Sequence, residues 1–260
     1  MRPAFGRWLY ALGAVTAVAG WVLGQSAAAD ASPAASAGPA RAAAAATYVP
    51  QPGTLHPGDH GPEVKLLQQR LAQLHYYPGP VNSSFDQPTL EAVWSFKEVQ
   101  GLQLKVSPND VGAVMQRHLV NPHAPKVLIR GGPKQRIEVY LPKGYLVLYN
   151  KGKIELISHV SAGGGYYYPC SIGSCRAITR DGNYHALSFI AGWVTAPLGK
   201  LYNPVFYIGT KFAIHGDIPV PLKAASHGCV RIPMDIATWF HTRIHIPGTP
   251  IYIRGRVPGT

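Results

Sequence analysis

From Gly53 to about Asn121 the apolar positions recur at intervals of three and four, the spacing of one helix face. Val64, Leu67, Leu71 and Leu74 follow Pro62, which suits a first helical turn because the N–H it lacks would be unpaired there anyway. Leu90, Val93, Phe96 and Lys97 repeat the spacing after Thr89, with Gly101 as a stop, and a weaker third pattern runs from about Pro108 to His118. Three helices are predicted, with Val64, Leu67, Leu71, Val93 and Phe96 in their core. From Lys126 the pattern alternates. Lys126–Arg130, Arg136–Leu141, Tyr145–Asn150 and Lys153–Val160 read as short strands, separated by turns at Pro142-Lys143-Gly144 and Lys151-Gly152. More strands are predicted at Ala186–Ala191, Val205–Ile208, Lys211–Ile214 and Pro250–Ile253, and one helix over about Pro233–Thr242 with Ile236, Trp239 and Phe240 on one side. The expected fold is two domains: a small three-helix α domain over residues 53–121, then a mainly β, sandwich or barrel-like domain over residues 125–256.

The 260 residues suffice for two modest domains plus extensions, and 47% hydrophobic residues are enough to bury a core. Ahead of the first domain, Arg2 and Arg7 precede an apolar run from Trp8 to Leu23, followed by Gly24-Gln25-Ser26-Ala27-Ala28-Ala29. That is the layout of a secretory signal peptide over residues 1–29, cut after Ala29 or Ala28; an uncleaved anchor is the alternative. No cysteine follows the run, which excludes a lipoprotein anchor. Residues 30–52, mostly Ala, Ser and Pro, read as a flexible linker.

The formal charge of +12 falls to +10 if Arg2 and Arg7 leave with the signal. A basic chain suits an anionic partner: nucleic acid, lipid or an acidic cell wall. No Lys/Arg cluster is interleaved with aromatics, so nucleic acid is the poorest fit.

The candidate chemistry lies in Ser226-His227-Gly228-Cys229-Val230-Arg231. The thiolate is the nucleophilic form of cysteine, and the imidazole and guanidinium beside Cys229 favour it. A base stands upstream in Ile214-His215-Gly216, at the end of the apolar run Phe212-Ala213-Ile214; if that run is a strand and Cys229 opens the next, the loop Asp217–Ala225 folds the two together. A papain-type plan needs its histidine far downstream, and the chain ends at Thr260. Cys229, His241 and His245 have finger-like spacing but no second cysteine nearby, so zinc is rejected and no cofactor is implied. Three cysteines in a secreted chain leave one over: pairing Cys170 with Cys175 frees Cys229, the alternatives being two unpaired thiols or a bridge to another chain.

His215-Gly216 followed by a Pro-containing loop and SHGC-Val-Arg resembles the signature of L,D-transpeptidases of the YkuD-like fold. Gln135–Tyr140 followed by Leu146–Tyr149 resembles that family's opening hairpins. Leu55, Gly58, Gly61, Val64, Leu67-Gln68, Arg70-Leu71, then Gly79, Phe85, Thr89, Ala92-Val93, Phe96 and Gly101-Leu102, resembles the three-helix peptidoglycan-binding domain. It departs from that pattern at His75-Tyr76-Tyr77, where Leu-Gly-Tyr is more usual, and at Asn82-Ser83-Ser84, where Asp-Gly is expected.

The resemblance implies a secreted bacterial enzyme of the cell wall or periplasmic space, with peptidoglycan as partner. It acylates on a stem peptide cut after a diamino acid at position three and passes the acyl group to an amine of another stem, forming a cross-link. The alternatives are an L,D-carboxypeptidase, a protein-to-wall transferase, or a non-catalytic wall-binding protein. Cys229 is the expected nucleophile and His215 the proton acceptor and donor, oriented by the carbonyl of Gly216. Backbone amides near Gly228 and Cys229 are expected to form the oxyanion site, with Ser226 and His227 shaping the pocket and Arg231 clamping the loop or holding a substrate carboxylate. The expected protein is a monomer that meets a membrane only if the signal is retained.

Overall fold

The computed structural model of the chain describes residues 48–218 and 220–260. The signal peptide and most of the linker fall outside these residues. Residues 48–52, read as the linker's end, are held in place: Tyr48 is buried in the helical core, and the amide of Gln51 donates to Oε1 of Gln116 at 2.5 Å.

Among the described residues three helices come first, α1 Pro62–Gln73, α2 Gln87–Gln100 and α3 Ala113–Val120. Asp86 caps α2 by accepting from the Thr89 amide, and Gly101 ends it in the left-handed conformation at φ 67°, which a side chain would disfavour. The third helix begins at Ala113, later than the apolar pattern suggested. Ser83 takes a left-handed φ of 64° where the family pattern has glycine, and Oε1 of Gln68 accepts from the amides of Asn82 and Ser83 across that turn.

Twelve strands follow among the described residues: β1 Arg136–Tyr140, β2 Tyr145–Asn150, β3 Lys153–His159, β4 Tyr167–Cys170, β5 Gly173–Arg176, β6 Gly182–His185, β7 Ser188–Phe189, β8 Trp193–Ala196, β9 Gly199–Ile208, β10 Phe212–Gly216, β11 Val230–Ile232 and β12 Pro250–Arg254. The first sheet runs β3-β2-β1-β12-β6; the second runs β11-β10-β9-β7, with β8 also on β9; β4 and β5 form a separate hairpin. Among the described residues neither sheet closes on itself, so the arrangement is a pair of packed sheets and not a barrel. The helix expected over Pro233–Thr242 is one turn, α4 Met234–Ala237, and a short 3-10 segment, Phe240–Arg243. Lys126–Arg130 is not a strand. Side chains take its amides instead: Lys126 N–H donates to the Tyr145 hydroxyl and Leu128 N–H to Oε2 of Glu138, itself in a buried pair with Arg136.

Strand alternation explains the layering. Ile137, Val139, Leu146, Leu148, Ile251 and Ile253 face the second sheet's Val205, Tyr207, Ile214, Val230 and Ile232 in one core. The other face of the first sheet, Tyr145, Val147, Tyr149 and Ile157, packs on Val64, Leu67, Leu71, Val93 and Phe96. The first sheet is thus covered on both sides, which is why β2 is apolar along nearly its whole length. A bulge at Glu155 keeps Ile154 and Leu156 on opposite faces. The His75-Tyr76-Tyr77 departure lies at this seam: the His75 carbonyl accepts from the Ile157 amide at 2.8 Å, Tyr76 is buried against Phe96, and Tyr77 meets Trp239 edge-on at 5.4 Å.

Candidate active site

Strands β10 and β11 are parallel neighbours in register Ile214↔Val230 and His215↔Arg231. By this register Cys229, one residue before β11, falls at the level of Ala213, two positions ahead of His215 along β10. Cys229 is a free thiol, partly exposed, packed against Leu201, Phe206 and Ala213. Burial pushes the thiol above its ordinary value, although a backbone hydrogen bond at Ala213 and the Arg231 charge pull the other way. The basic neighbours noted in the sequence do not outweigh the apolar wall. Burial likewise lowers His215 below the usual imidazole value, against the Gly216 carbonyl and Asp217, which raise it. At neutral pH both shifts favour the uncharged forms, thiol and imidazole.

The Nδ1 atom of His215 lies 2.8 Å from the Gly216 carbonyl, which fixes the tautomer: Nδ1 carries the proton and donates, and Nε2 keeps its lone pair. Gly216 has no room for a side chain, since a Cβ would lie 2.7 Å from that of Ala237 and 2.9 Å from Sδ of Met234. Gly228, at φ 143°, is equally forced, because a Cβ would run into the Phe212 ring and the Ile178 carbonyl.

Two expected pocket groups have other occupations. Ser226 is buried; its hydroxyl donates to the Cys229 carbonyl at 2.6 Å and accepts from the Gly228 amide at 3.0 Å, so it stitches the turn and does not line a pocket. The Gly228 amide is thereby taken, and is not free for an oxyanion. His227 is half-exposed between Tyr166 and Tyr168, edge-on at 5.3 and 4.7 Å. Arg231 Nε sits 2.9 Å from Oδ2 of Asp217, close enough for an ion pair but out of line for a hydrogen bond. Cys170 and Cys175 are bonded across the β4–β5 hairpin, with Cα atoms 5.8 Å apart.

Sequence reasoning did not single out Thr179 or Ser161, and it left Tyr166, Tyr167 and Tyr168 out of the site as loop packing. The Thr179 hydroxyl donates to the Gly228 carbonyl at 2.8 Å and accepts from the Gly163 amide at 2.9 Å. No local signal marks it, because both partners are distant in sequence. Asp217 stands directly after His215-Gly216 but was read only as the start of a loop; its pairing with Arg231 was not foreseen.

Residues 134–253 match the family model of the L,D-transpeptidase catalytic domain, YkuD. This part of the chain is a YkuD-family domain. Residues 60–104 match a peptidoglycan binding domain model. Among solved structures, the L,D-transpeptidase from Xylanimonas cellulosilytica is 28% identical, with a TM-score of 0.71, over 79% of this chain and 100% of that one. Its likeness thus reaches beyond the catalytic-domain match. L,D-transpeptidases from Stackebrandtia nassauensis (17% identity, 78% of this chain and 96% of that one, TM-score 0.46) and Mycobacterium tuberculosis H37Rv (16%, 48% and 59%, TM-score 0.39) also align. No curated protein matches the chain.

Proposed function

We propose that the chain is an extracytoplasmic cysteine L,D-transpeptidase acting on peptidoglycan stem peptides. The observation that supports this reading is the parallel β10–β11 pairing, which brings the segment carrying a free thiol alongside the strand carrying a histidine whose Nδ1 donates to Gly216 and whose Nε2 keeps its lone pair. Nε2 of His215 takes the Cys229 proton as sulfur bonds to the acyl carbon of the donor stem. The tetrahedral intermediate collapses, the C–N bond breaks, and the imidazolium proton leaves with the amine. The resulting thioester is attacked by the amine of a second stem, which gives its proton to His215 and restores the thiol. With the Gly228 amide engaged, the oxyanion falls to the Cys229 amide. Arg231, paired with Asp217, acts as a loop clamp. Water as acceptor makes the reaction a carboxypeptidation.

The test is the intact mass of the protein after incubation with a disaccharide tetrapeptide, beside Cys229→Ser. A thioester-sized adduct on the wild type alone, with cross-linked dimer as product, supports transfer; tripeptide alone supports hydrolysis. A folded wild type with reduced Cys229, no adduct and no product sinks the proposal. Because His215 works only when neutral, acylation rises with pH through its depressed value, a limb centred below the ordinary imidazole range. His215→Gln removes that limb and lowers the rate by roughly 10²–10⁴-fold.

A further inference from the structure

The side chain of Glu98, in α2, and that of His159, at the end of β3, are both buried and meet at 2.7 Å between Oε1 and Nδ1. The other ring nitrogen, Nε2, lies 3.1 Å from the carbonyl of Pro221. An imidazole between a carboxyl group and a carbonyl has one arrangement that satisfies both: Nε2 carries a proton toward Pro221, and the Nδ1 proton is shared with Glu98. Burial raises Glu98 to about 7, against the pull of His159. Burial also works to lower His159, but the Glu98 charge and hydrogen bond outweigh it and the ring is raised. The other groups facing the ring are the Trp94 ring, edge-on at 5.5 Å, and Glu91, itself near Asp235.

Pro221 belongs to the segment running from the base strand to the nucleophile turn. That segment hangs on the extension of β3 at successive points. The Ser161 hydroxyl donates to the Lys223 carbonyl at 2.9 Å and accepts from the Ala225 amide at 3.1 Å. The Ser226 amide donates to Ala162 at 2.9 Å, and the Gly164 amide to Ser226 at 3.0 Å. Ser161 also exchanges both backbone hydrogen bonds with Arg231, just past Cys229. The rail therefore holds the nucleophile turn from both sides, and His159 is its first anchor.

We propose that Glu98 and His159 are positioning residues for the thiol–imidazole pair: the α2 carboxyl group orients the His159 ring, the ring holds Pro221, and the approach to Ser226–Cys229 is fixed from the helical domain. The inference rests on the roles proposed above for Cys229 and His215. A buried ion pair adds little net stability, since desolvation offsets its attraction. Here Oε2 of Glu98 is also buried without a partner. What the pair supplies is geometry. On this account α2, which lies within the residues matching the peptidoglycan binding domain model, is part of the catalytic framework.

The experiment uses the full chain as wild type, Glu98→Leu, Glu98→Gln and Glu98→Asp. The first readout is the rate of Cys229 alkylation by iodoacetamide against pH, which needs no stem peptide and so stays informative if the proposed substrate is wrong. The second is amide exchange over residues 220–229. Glu98→Leu is expected to slow alkylation at neutral pH about 10- to 100-fold, the cost of a misplaced reactive group, and to raise exchange in residues 220–229 while β1 and β2 stay protected. Glu98→Gln, whose amide donates to the ring's Nδ1, restores most of the rate. Should Glu98→Leu fail to fold, Glu98→Asp carries the same test, because it keeps the charge but withdraws it by one methylene. The inference is overturned if a folded Glu98→Leu, or Glu98→Asp in its place, alkylates with the wild-type rate and pH profile, or if exchange rises in α2 and β3 with residues 220–229 unchanged.

Discussion

Phe96→Ala tests whether the helical part and the first sheet are one cooperative unit. Phe96 is fully buried, meets Tyr76 edge-on at 5.3 Å, and shares a core with Val147, Tyr149 and Ile157 of the sheet. Truncating a buried phenylalanine costs about 3–5 kcal/mol, transfer and residual cavity together. A chain of this size loses roughly 2–4 °C of Tm per kcal/mol, so the expected fall is about 6–20 °C. Because the core crosses the seam, the fall must appear in both parts. The assay is thermal unfolding followed by helix circular dichroism and, in parallel, by the fluorescence of Trp193 in a background where the other four tryptophans are changed to phenylalanine, which reports on β8. One transition, shifted equally by both probes, is expected. Two separated transitions, with the Trp193 signal unmoved by Phe96→Ala, refute the shared core.

Three further outcomes are expected. Burial raises Glu98 and Glu91 to about 7 and Asp235 to about 6, and His159 is raised as well. These four groups bind more protons folded than unfolded between the ordinary carboxylate range and about pH 7; the lowered His215 and His227 pull the other way, but the four outnumber them, so stability falls as pH rises across that window, and a Tm higher at pH 8 than at pH 5.5 contradicts it. Gly216→Ala pushes a methyl group into Ala237 and Met234 beneath the His215 anchor, and is expected to cost about 1–3 kcal/mol and much of the turnover; an unchanged melting temperature would show that α4 yields freely. Replacing Cys170 and Cys175 by serine opens a short ring and lowers stability by about 2 kcal/mol on the chain-entropy account, read by chemical denaturation. The same change frees Tyr166 and Tyr168 from His227, visible as faster exchange in the β4–β5 hairpin.

Local pattern was enough for the elements whose residues answer to their own neighbours in sequence. The 3- and 4-residue spacing of Val64, Leu67 and Leu71 made a helix because one face had to be buried, and Gly101 stopped α2 because a left-handed residue was needed there. His215-Gly216 and SHGC were legible as two motifs at a set spacing, and the segments that carry them do pair, β10 with β11 in parallel. Strands β4, β5, β6 and β8 were not legible: each is four residues long and partly exposed, and β6 pairs with β12, far along the chain. Lys126–Arg130 has strand-like alternation, but side chains from β1 and β2 took the hydrogen bonds a ladder would have used.

Tertiary structure alone decided the electrostatics of the site. In sequence Cys229 stands among basic groups; in space Leu201, Phe206 and Ala213 surround it, and desolvation outweighs the charges, leaving a thiol that needs a base. Tertiary structure likewise put Glu98 against His159, because a pair separated by sixty-one positions has no periodicity to announce it. A carboxylate and an imidazole on two different elements become partners only when a core forms between those elements and excludes water from both.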